Sequence, residues 1–225
     1  GSTGSVLFTY TQQVSAVSAM PSRGPVSGGT TVTVAGSLQD GSNAILYCMF
    51  GMSSVIATRL DGDGGVTCAA PASAVSGVVE LRLQTDSRVG SEDVAVRFEY
   101  FTRPEVSGVS PSRGSDKGGT LVQIVGSNFL SAGALCRFGA TQEGEGRIVS
   151  STMLSCVTPA SGSSGVVGVE VSFNGGADFT SDGHRFVYEE QALVEMLVPS
   201  AGRSGQAGQV VTVIGRHFVQ GSELS

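Results

Sequence analysis

The sequence has no Trp, a single Lys and only 14% charged residues, against about 25% in average soluble domains. The 13 Lys and Arg residues are scattered and the net charge is −6, so no basic patch exists for phosphate contacts and nucleic acid is not an expected partner. No apolar run reaches the roughly 18 to 20 residues of a membrane-spanning helix. The hydrophobic content of 40% is too high for a disordered chain. These features predict a folded segment without membrane contact.

Residues that could perform catalysis or hold a metal are also scarce. The only histidines are His184 and His217, and neither a Cys-x2-Cys pair nor a Gly-x-Ser-x-Gly elbow occurs. The segment from Asp61 to Gly65 begins like a calcium loop, but its fifth position is Gly65 and its twelfth is Ala72, so two ligands are missing. We interpret this segment as a polar turn and predict no enzyme activity, no cofactor and no metal.

What the sequence does contain is an internal repeat of about 88 residues. Prolines at 21, 111 and 199 are 90 and 88 residues apart, and the first two begin the same Pro-Ser-Arg-Gly motif. Tyrosines at 10, 100 and 188 each precede one of these prolines by 11 residues. We therefore predict the last strand of a preceding repeat at residues 1–10, complete repeats at 14–100 and 104–188, and the N-terminal part of a further repeat at 194–225.

Hydrophobic residues alternate with a period of two within each repeat, as in the segment that begins at Leu121 and the one that begins at Val166. No capped amphipathic helix pattern occurs. About seven short strands per repeat predict an all-β fold of small β-sandwiches in a linear array. The turns are expected at prolines, glycines and one Asn-Gly pair, namely Pro21, Gly24, Gly29, Pro111, Gly114, Gly119, Asn174 and Gly175.

The four cysteines follow the same repeat. Cys48 and Cys68 are 20 residues apart, as are Cys136 and Cys156, and the pairs are 88 residues apart. We expect one disulfide in each sandwich, worth about 3 kcal/mol on the chain-entropy model, and hence an oxidising, extracellular compartment. The alternative is four reduced, buried cysteines that pack as small hydrophobes.

The order of motifs resembles the IPT/TIG domain. Each repeat carries Pro-x-x-Gly, then Gly-Gly-Thr, an alternating strand, Cys-x-Phe-Gly, Cys-x-x-Pro and a closing Phe-x-Tyr. This resemblance implies an immunoglobulin-like fold, found in plexins, growth-factor receptor ectodomains, fibrocystin-like surface proteins and some transcription factors. It implies an interaction or spacer module, and the transcription-factor branch is disfavoured because no segment of the chain is positively charged.

We therefore expect a non-enzymatic structural, adhesion or protein-interaction module in a rod of repeats, located outside the cell or on its surface. Its expected partners are neighbouring repeats and other copies or subunits of an assembly, such as a surface or flagellar filament. The Ser- and Thr-rich surface suits O-linked glycans, whereas no N-x-[ST] sequon occurs. Two alternatives are the ectodomain of a plexin- or fibrocystin-like signalling receptor and the accessory sandwich of a secreted carbohydrate-active enzyme.

Overall fold

The computed structural model describes residues 14–38, 45–60, 65–86, 94–140, 142–202, 204–205 and 208–218. Within these ranges every regular element is a β-strand, so the predicted all-β fold is confirmed. No helix long and apolar enough to cross a membrane occurs in the described part of the chain. The strand expected at residues 1–10, the polar turn at 61–64 and the chain after residue 218 lie outside the described residues.

The first repeat is a sandwich of two sheets. Its described strands are β1 (Val14–Met20), β2 (Arg23–Pro25), β3 (Thr31–Leu38), β4 (Leu46–Phe50), β5 (Ser53–Ile56), β6 (Thr58–Arg59), β7 (Gly65–Ala69), β8 (Gly77–Thr85) and β9 (Val96–Phe101). One sheet has the order β1-β3-β7-β6 and the other β2-β9-β8-β4-β5. The short strand β2 runs parallel to β9, whereas the other described neighbours in this repeat are antiparallel.

The second repeat has the same plan with one difference. Its described strands are β10 (Glu105–Ser110), β11 (Arg113–Ser115), β12 (Leu121–Ser127), β13 (Leu135–Phe138), β14 (Gln142–Ser150), β15 (Met153–Val157), β16 (Gly165–Ser172) and β17 (Arg185–Glu189). Strand β14 pairs with β13 through its first half and with β15 through its second half. The two sheets thereby become one hydrogen-bonded series, β10-β12-β15-β14-β13-β16-β17-β11.

The number of strands differs slightly from the predicted seven. The described residues contain nine strands in the first repeat and eight in the second. Several of these strands are short: β2 and β11 have three residues each, and β5 and β6 have four and two. After the cis peptide bond before Pro21 or Pro111, three residues pair with the last strand of the repeat. After β4 or β13, the chain crosses from one sheet to the other. In the first repeat this crossing consists of two strands, β5 and β6, and in the second it is the continuous strand β14.

The core of each sandwich consists of the alternate side chains that the period of two predicts. In β3, Val32 and Val34 are fully buried while Thr31, Thr33 and Ala35 are exposed, which is the pattern of a strand with one face on the core. Aromatic rings from the last strand complete the core: Phe98 and Phe186 each pack edge-on against a phenylalanine of the strand that carries the first cysteine.

Both expected disulfides are present, Cys48–Cys68 and Cys136–Cys156, each with a Cα–Cα distance of 6.4 Å. All four cysteines are buried, and no free cysteine remains among the described residues. In the first repeat the bond joins β4 of one sheet to β7 of the other. It therefore links two sheets that share no strand.

Two of the glycines that were expected in turns, Gly24 and Gly114, do not lie in turns. Gly29 and Gly119 have positive φ, as expected for glycine, and lie just after a turn and directly before the threonine of the Gly-Gly-Thr motif. Gly24 and Gly114 lie instead in the short strands β2 and β11, where a Cβ atom would clash with the Thr30 or Thr120 side chain. Close packing, not turn conformation, therefore requires glycine at these two positions.

The Asn174-Gly175 pair also differs from its expected role in a tight hairpin. Residues 173–184 form a 12-residue loop between β16 and β17, which we call the junction loop. The positive φ values in this loop fall on Gly175, Gly176 and Gly183, and not on Asn174. The Asn174 side chain is 94% buried (6% exposed) and makes contacts described below.

The third unit begins like the other two. Strands β18 (Leu193–Val198) and β19 (Thr212–Arg216) pair antiparallel with the same one-residue irregularity as β1–β3 and β10–β12. The glycine opposite this irregularity, Gly36, Gly126 or Gly215, has no room for a side chain because a Cβ would clash with a carbonyl oxygen of the facing strand. The third unit therefore shares the strand register of the complete repeats.

Candidate functional site: the junctions between repeats

The first junction, between residues 14–101 and 105–189, is formed by a very short connection. Strand β9 ends at Phe101 and β10 begins at Glu105, so only residues 102–104 lie between them. Phe101 and Pro104 are buried although they lie at the end of a sandwich. A three-residue connection held between buried Phe101 and its own buried Pro104 leaves little freedom for one repeat to rotate relative to the other.

A polar cluster joins the two repeats across this junction. The Thr30 hydroxyl of the first repeat donates to Asp178 Oδ2 of the second at 2.6 Å. The Asn174 amide donates to the same oxygen at 2.7 Å and to the backbone carbonyl of Arg23 at 3.3 Å. Thr30 and Asn174 are almost fully buried. Because hydrogen bonds to a charged group contribute about 1.5 to 3 kcal/mol each, this cluster favours one relative orientation of the repeats.

The junction loop is in turn fixed to its own repeat. Asn174 Oδ1 accepts a bond from the backbone N–H of Asp178 at 2.9 Å, which holds the carboxylate beside the amide. Asp182 accepts the Val106 N–H at 2.8 Å, and His184 Nε2 lies 2.9 Å from the Val106 carbonyl oxygen. Residues of the loop therefore tie the first strand of the second repeat to the surface that meets the first repeat.

The connecting residues themselves are held from both sides. The Arg103 guanidinium donates to the Ser181 hydroxyl at 3.2 Å, and Asn128 Nδ2 donates to the Arg103 carbonyl at 3.1 Å. Beside them, a small cleft of about 170 Å³ is lined by both polar and apolar residues, the apolar ones being Pro25, Phe101, Pro104, Val171, Phe173 and Phe179. The junction thus combines apolar packing with a buried polar cluster.

A tyrosine closes the end of each sandwich next to its junction. Tyr100 and Tyr188 donate their hydroxyls to the carbonyls of Pro71 and Pro159 at 2.8 and 2.9 Å. Burial raises the pKa of Tyr100 to about 12. Burial also raises the pKa of Tyr188, partly offset by a hydrogen bond with Thr158. These hydroxyls remain protonated at neutral pH and keep the ends of the repeats in a fixed shape.

No three His, Cys, Asp or Glu side chains lie close enough to bind a metal ion in the described part of the chain. The ring of His184 is engaged with a backbone carbonyl. The arrangement can orient domains and present surfaces to other proteins.

The sequence patterns predict the strands that flank the junctions, but they do not predict the residues that form hydrogen bonds across the first junction. The sequence predicts Thr30 only as part of the Gly-Gly-Thr motif and gives no role to Asp178. A signal was available: Asn174, Asp178 and Asp182 place three polar side chains, four residues apart, in the loop before the closing Phe-x-Tyr. The predicted disulfide cysteines lie in the cores and not at the junctions.

Each of the two sandwiches has a closing tyrosine and a disulfide, and three residues connect them. These features define a protein of tandem immunoglobulin-like repeats. The family profile of the IPT/TIG domain matches residues 13–100 and again residues 104–188. The chain belongs to the IPT/TIG domain family. This is a non-catalytic type of domain, and its tandem occurrence indicates a protein-interaction module.

Similar proteins include fibrocystin-L of Mus musculus, which is 28% identical over 117 residues, or 52% of this chain and 3% of its own length. The full extracellular region of plexin A4 superposes with a TM-score of 0.50 at 20% identity, covering 83% of this chain and 16% of that one. A second plexin A4 extracellular structure has a TM-score of 0.43 at 20% identity, with coverages of 78% and 18%. The chain thus spans a small part of these proteins, and the plexin likeness supports the fold.

Proposed function

We propose that the chain is a segment of a semi-rigid rod of IPT/TIG repeats in an extracellular or cell-surface protein, where it serves structure, adhesion or protein recognition. The observation that carries this proposal is the buried bond from Thr30 to Asp178 across a three-residue connection. A module whose repeats were free to rotate would not bury polar groups between them, because an opened junction leaves those groups without partners.

Two further features support the proposed extracellular location and the proposed protein partners. Two disulfides in a chain of this size are typical of an oxidising compartment, which favours an extracellular or surface location. A low content of charge and many Ser and Thr residues suit contacts with neighbouring repeats and other copies in an assembly such as a surface or flagellar filament, and suit O-linked glycans.

A matched pair of threonine variants tests the rigid junction. Thr30→Val removes the hydroxyl that reaches Asp178 but keeps the side-chain shape, whereas Thr120→Val makes the same change at the equivalent position of the second repeat, away from the first junction. Residual dipolar couplings measure the orientation of each repeat in solution. We expect one shared alignment tensor for the two repeats in the wild type and in Thr120→Val, and different tensors in Thr30→Val and Asp178→Ala.

The size of the expected change follows from the bonds that are lost. Hydrogen bonds to a charged group contribute about 1.5 to 3 kcal/mol, so the population of the open junction should rise by roughly 10- to 100-fold. If the two repeats of the wild-type chain align independently, the proposal of a semi-rigid rod is contradicted. Shared alignment that persists in both Thr30→Val and Asp178→Ala would show that the polar cluster does not hold the junction.

A second candidate is the ectodomain of a fibrocystin-like receptor, favoured by the 28% identity to fibrocystin-L. The two candidates differ in their partner. Sedimentation equilibrium of the purified chain over a wide range of concentration distinguishes them, because a filament component is expected to self-associate and a receptor segment to stay monomeric.

A further inference from the structure

The second junction, between the second repeat and the third unit, repeats the geometry of the first with different chemistry. Residues 190–192 connect β17 to β18, as 102–104 connect β9 to β10. His217 is equivalent to Asn128, since each stands two residues after the glycine of the facing strand, Gly215 or Gly126. Both have positive φ, 59° and 58°. The backbone therefore presents both side chains to the preceding connection in the same way.

The two side chains bind that connection with different groups. The Asn128 amide donates to the Arg103 carbonyl at 3.1 Å, a contact in which neither partner titrates near neutral pH. His217 Nδ1 lies 2.5 Å from Glu190 Oε2, and both side chains are about half exposed. The first junction thus has a neutral hydrogen bond where the second has an imidazole and a carboxylate.

The groove beside His217 contains more acidic than basic side chains. Asp116, Lys117 and Glu190 line the same groove as His217. The Asp116 side chain is more than nine-tenths buried, its Oδ1 atom has no hydrogen-bond donor, and Lys117 Nζ lies 3.4 Å from its Oδ2 atom. The first repeat has Val26 and Ser27 at the positions of Asp116 and Lys117. With a neutral imidazole this groove holds two negative charges and one positive charge.

The other charged groups beside this junction already have partners. Arg216, which precedes His217, pairs with Glu195 across β18 and β19 at 2.5 Å. Arg113 of β11 pairs with Glu189 of β17 at 2.8 Å. A proton on His217 is therefore the charge that balances the groove.

We propose that the second junction is a pH-sensitive contact, in which protonated His217 holds the third unit against the second repeat and deprotonation loosens it. Imidazoles change charge between about pH 5 and 8. The ion pair with Glu190 is present when the ring is protonated and the carboxylate is ionised, so docking is strongest in mildly acidic solution and weakens as pH rises. This inference concerns the second junction and does not depend on the Thr30–Asp178 contact of the first.

The asparagine of the first junction suggests the control substitution for His217. His217→Asn installs the side chain that serves at the first junction, and Glu190→Gln removes the partner charge without touching the ring. Backbone ¹⁵N relaxation of β18 and β19, compared with β12 and β15, reports whether the third unit tumbles with the second repeat. The His217 ring signal is assigned by its loss in His217→Asn, since His184 is the only other histidine.

In the wild type, the docked fraction of the third unit should fall by about two- to fivefold between pH 5.5 and pH 8, the range expected for one half-exposed ion pair. The midpoint should coincide with the titration of the His217 ring signal. Both variants should abolish this dependence. Retention of it in His217→Asn would overturn the proposal, as would a wild-type third unit whose relaxation does not change with pH or whose β18–β19 amides have random-coil shifts throughout.

Discussion

Replacing Cys48 and Cys68 by Ala should lower the free energy of unfolding of the first repeat by about 3 to 5 kcal/mol. The loss of loop closure over a separation of 20 residues accounts for about 3 kcal/mol. The two sulfur atoms are almost fully buried, so their removal also leaves small voids that cost up to about 1 kcal/mol each.

The second repeat supplies an internal comparison for this effect. Cys136 and Cys156 have the same separation of 20 residues, so the chain-entropy contribution is equal. Strand β14, however, hydrogen-bonds to both cysteine-bearing strands, β13 and β15, whereas β5 and β6 divide this role in the first repeat. We therefore expect the Cys48/Cys68 variant to separate the two sheets more than the Cys136/Cys156 variant.

Urea titration followed by hydrogen exchange and mass spectrometry measures both repeats in one sample, since peptides from β4–β8 and β13–β16 report separately. Reduction of the unmutated protein isolates the loop-closure contribution from the effect of the voids. A loss below about 1 kcal/mol in the Cys48/Cys68 variant would refute the chain-entropy argument. Equal protection of β14 and of β5 after bond removal would refute the proposed bridging effect of β14.

Three further outcomes are expected. Tyr100→Phe leaves the Pro71 carbonyl without its donor and should destabilise the first repeat by about 1 to 3 kcal/mol, measured by urea titration. Gly114→Ala should destabilise the second repeat by about 1 to 3 kcal/mol through overpacking against the adjacent threonine, whereas Gly168→Ala, whose Cβ meets nothing within 4 Å, is the control. Because the pKa of Tyr100 is raised to about 12 and that of Tyr188 is also raised, the unfolded chain loses these protons first. The contribution of the two tyrosines to stability should therefore be constant below about pH 10 and decrease between pH 10 and 12, and stability that rises over this range would contradict the burial of the hydroxyls.

The fold was predictable because each of its determinants recurs within the sequence. The spacing of Cys48 and Cys68 is copied by the second pair, and the period of two in β3 and β12 identifies the buried faces. Even a packing constraint is visible in hindsight, since the glycine of Pro-x-x-Gly and the threonine of Gly-Gly-Thr occur together in both complete repeats and contact each other.

The contact across the first junction could not be predicted in this way, because Thr30 recurs as Thr120 whereas its partner Asp178 does not recur. Asp178 is preceded by Gly90 at a distance of 88 residues, and its partner Thr30 lies 148 residues away in sequence. A contact between two domains depends on how they are oriented, which a repeat pattern within one domain does not specify. For the same reason the tight hairpin predicted at Asn174 is a longer loop, since its amide serves the neighbouring repeat.

The parallel pairing of β2 with β9 has a mechanical consequence. Arg23, Gly24 and Pro25 lie opposite Glu99, Tyr100 and Phe101, so the second strand of the repeat runs beside its last strand in the same direction. If the repeats form the proposed rod, tension applied through β1 and β9 would pull β2 and β9 in opposite directions along their length and load the hydrogen bonds between them in shear. The covalent bond between β4 and β7 then limits how far a yielding repeat can lengthen. Each repeat of the proposed rod would therefore resist stretching and, once it yields, lengthen by a limited amount.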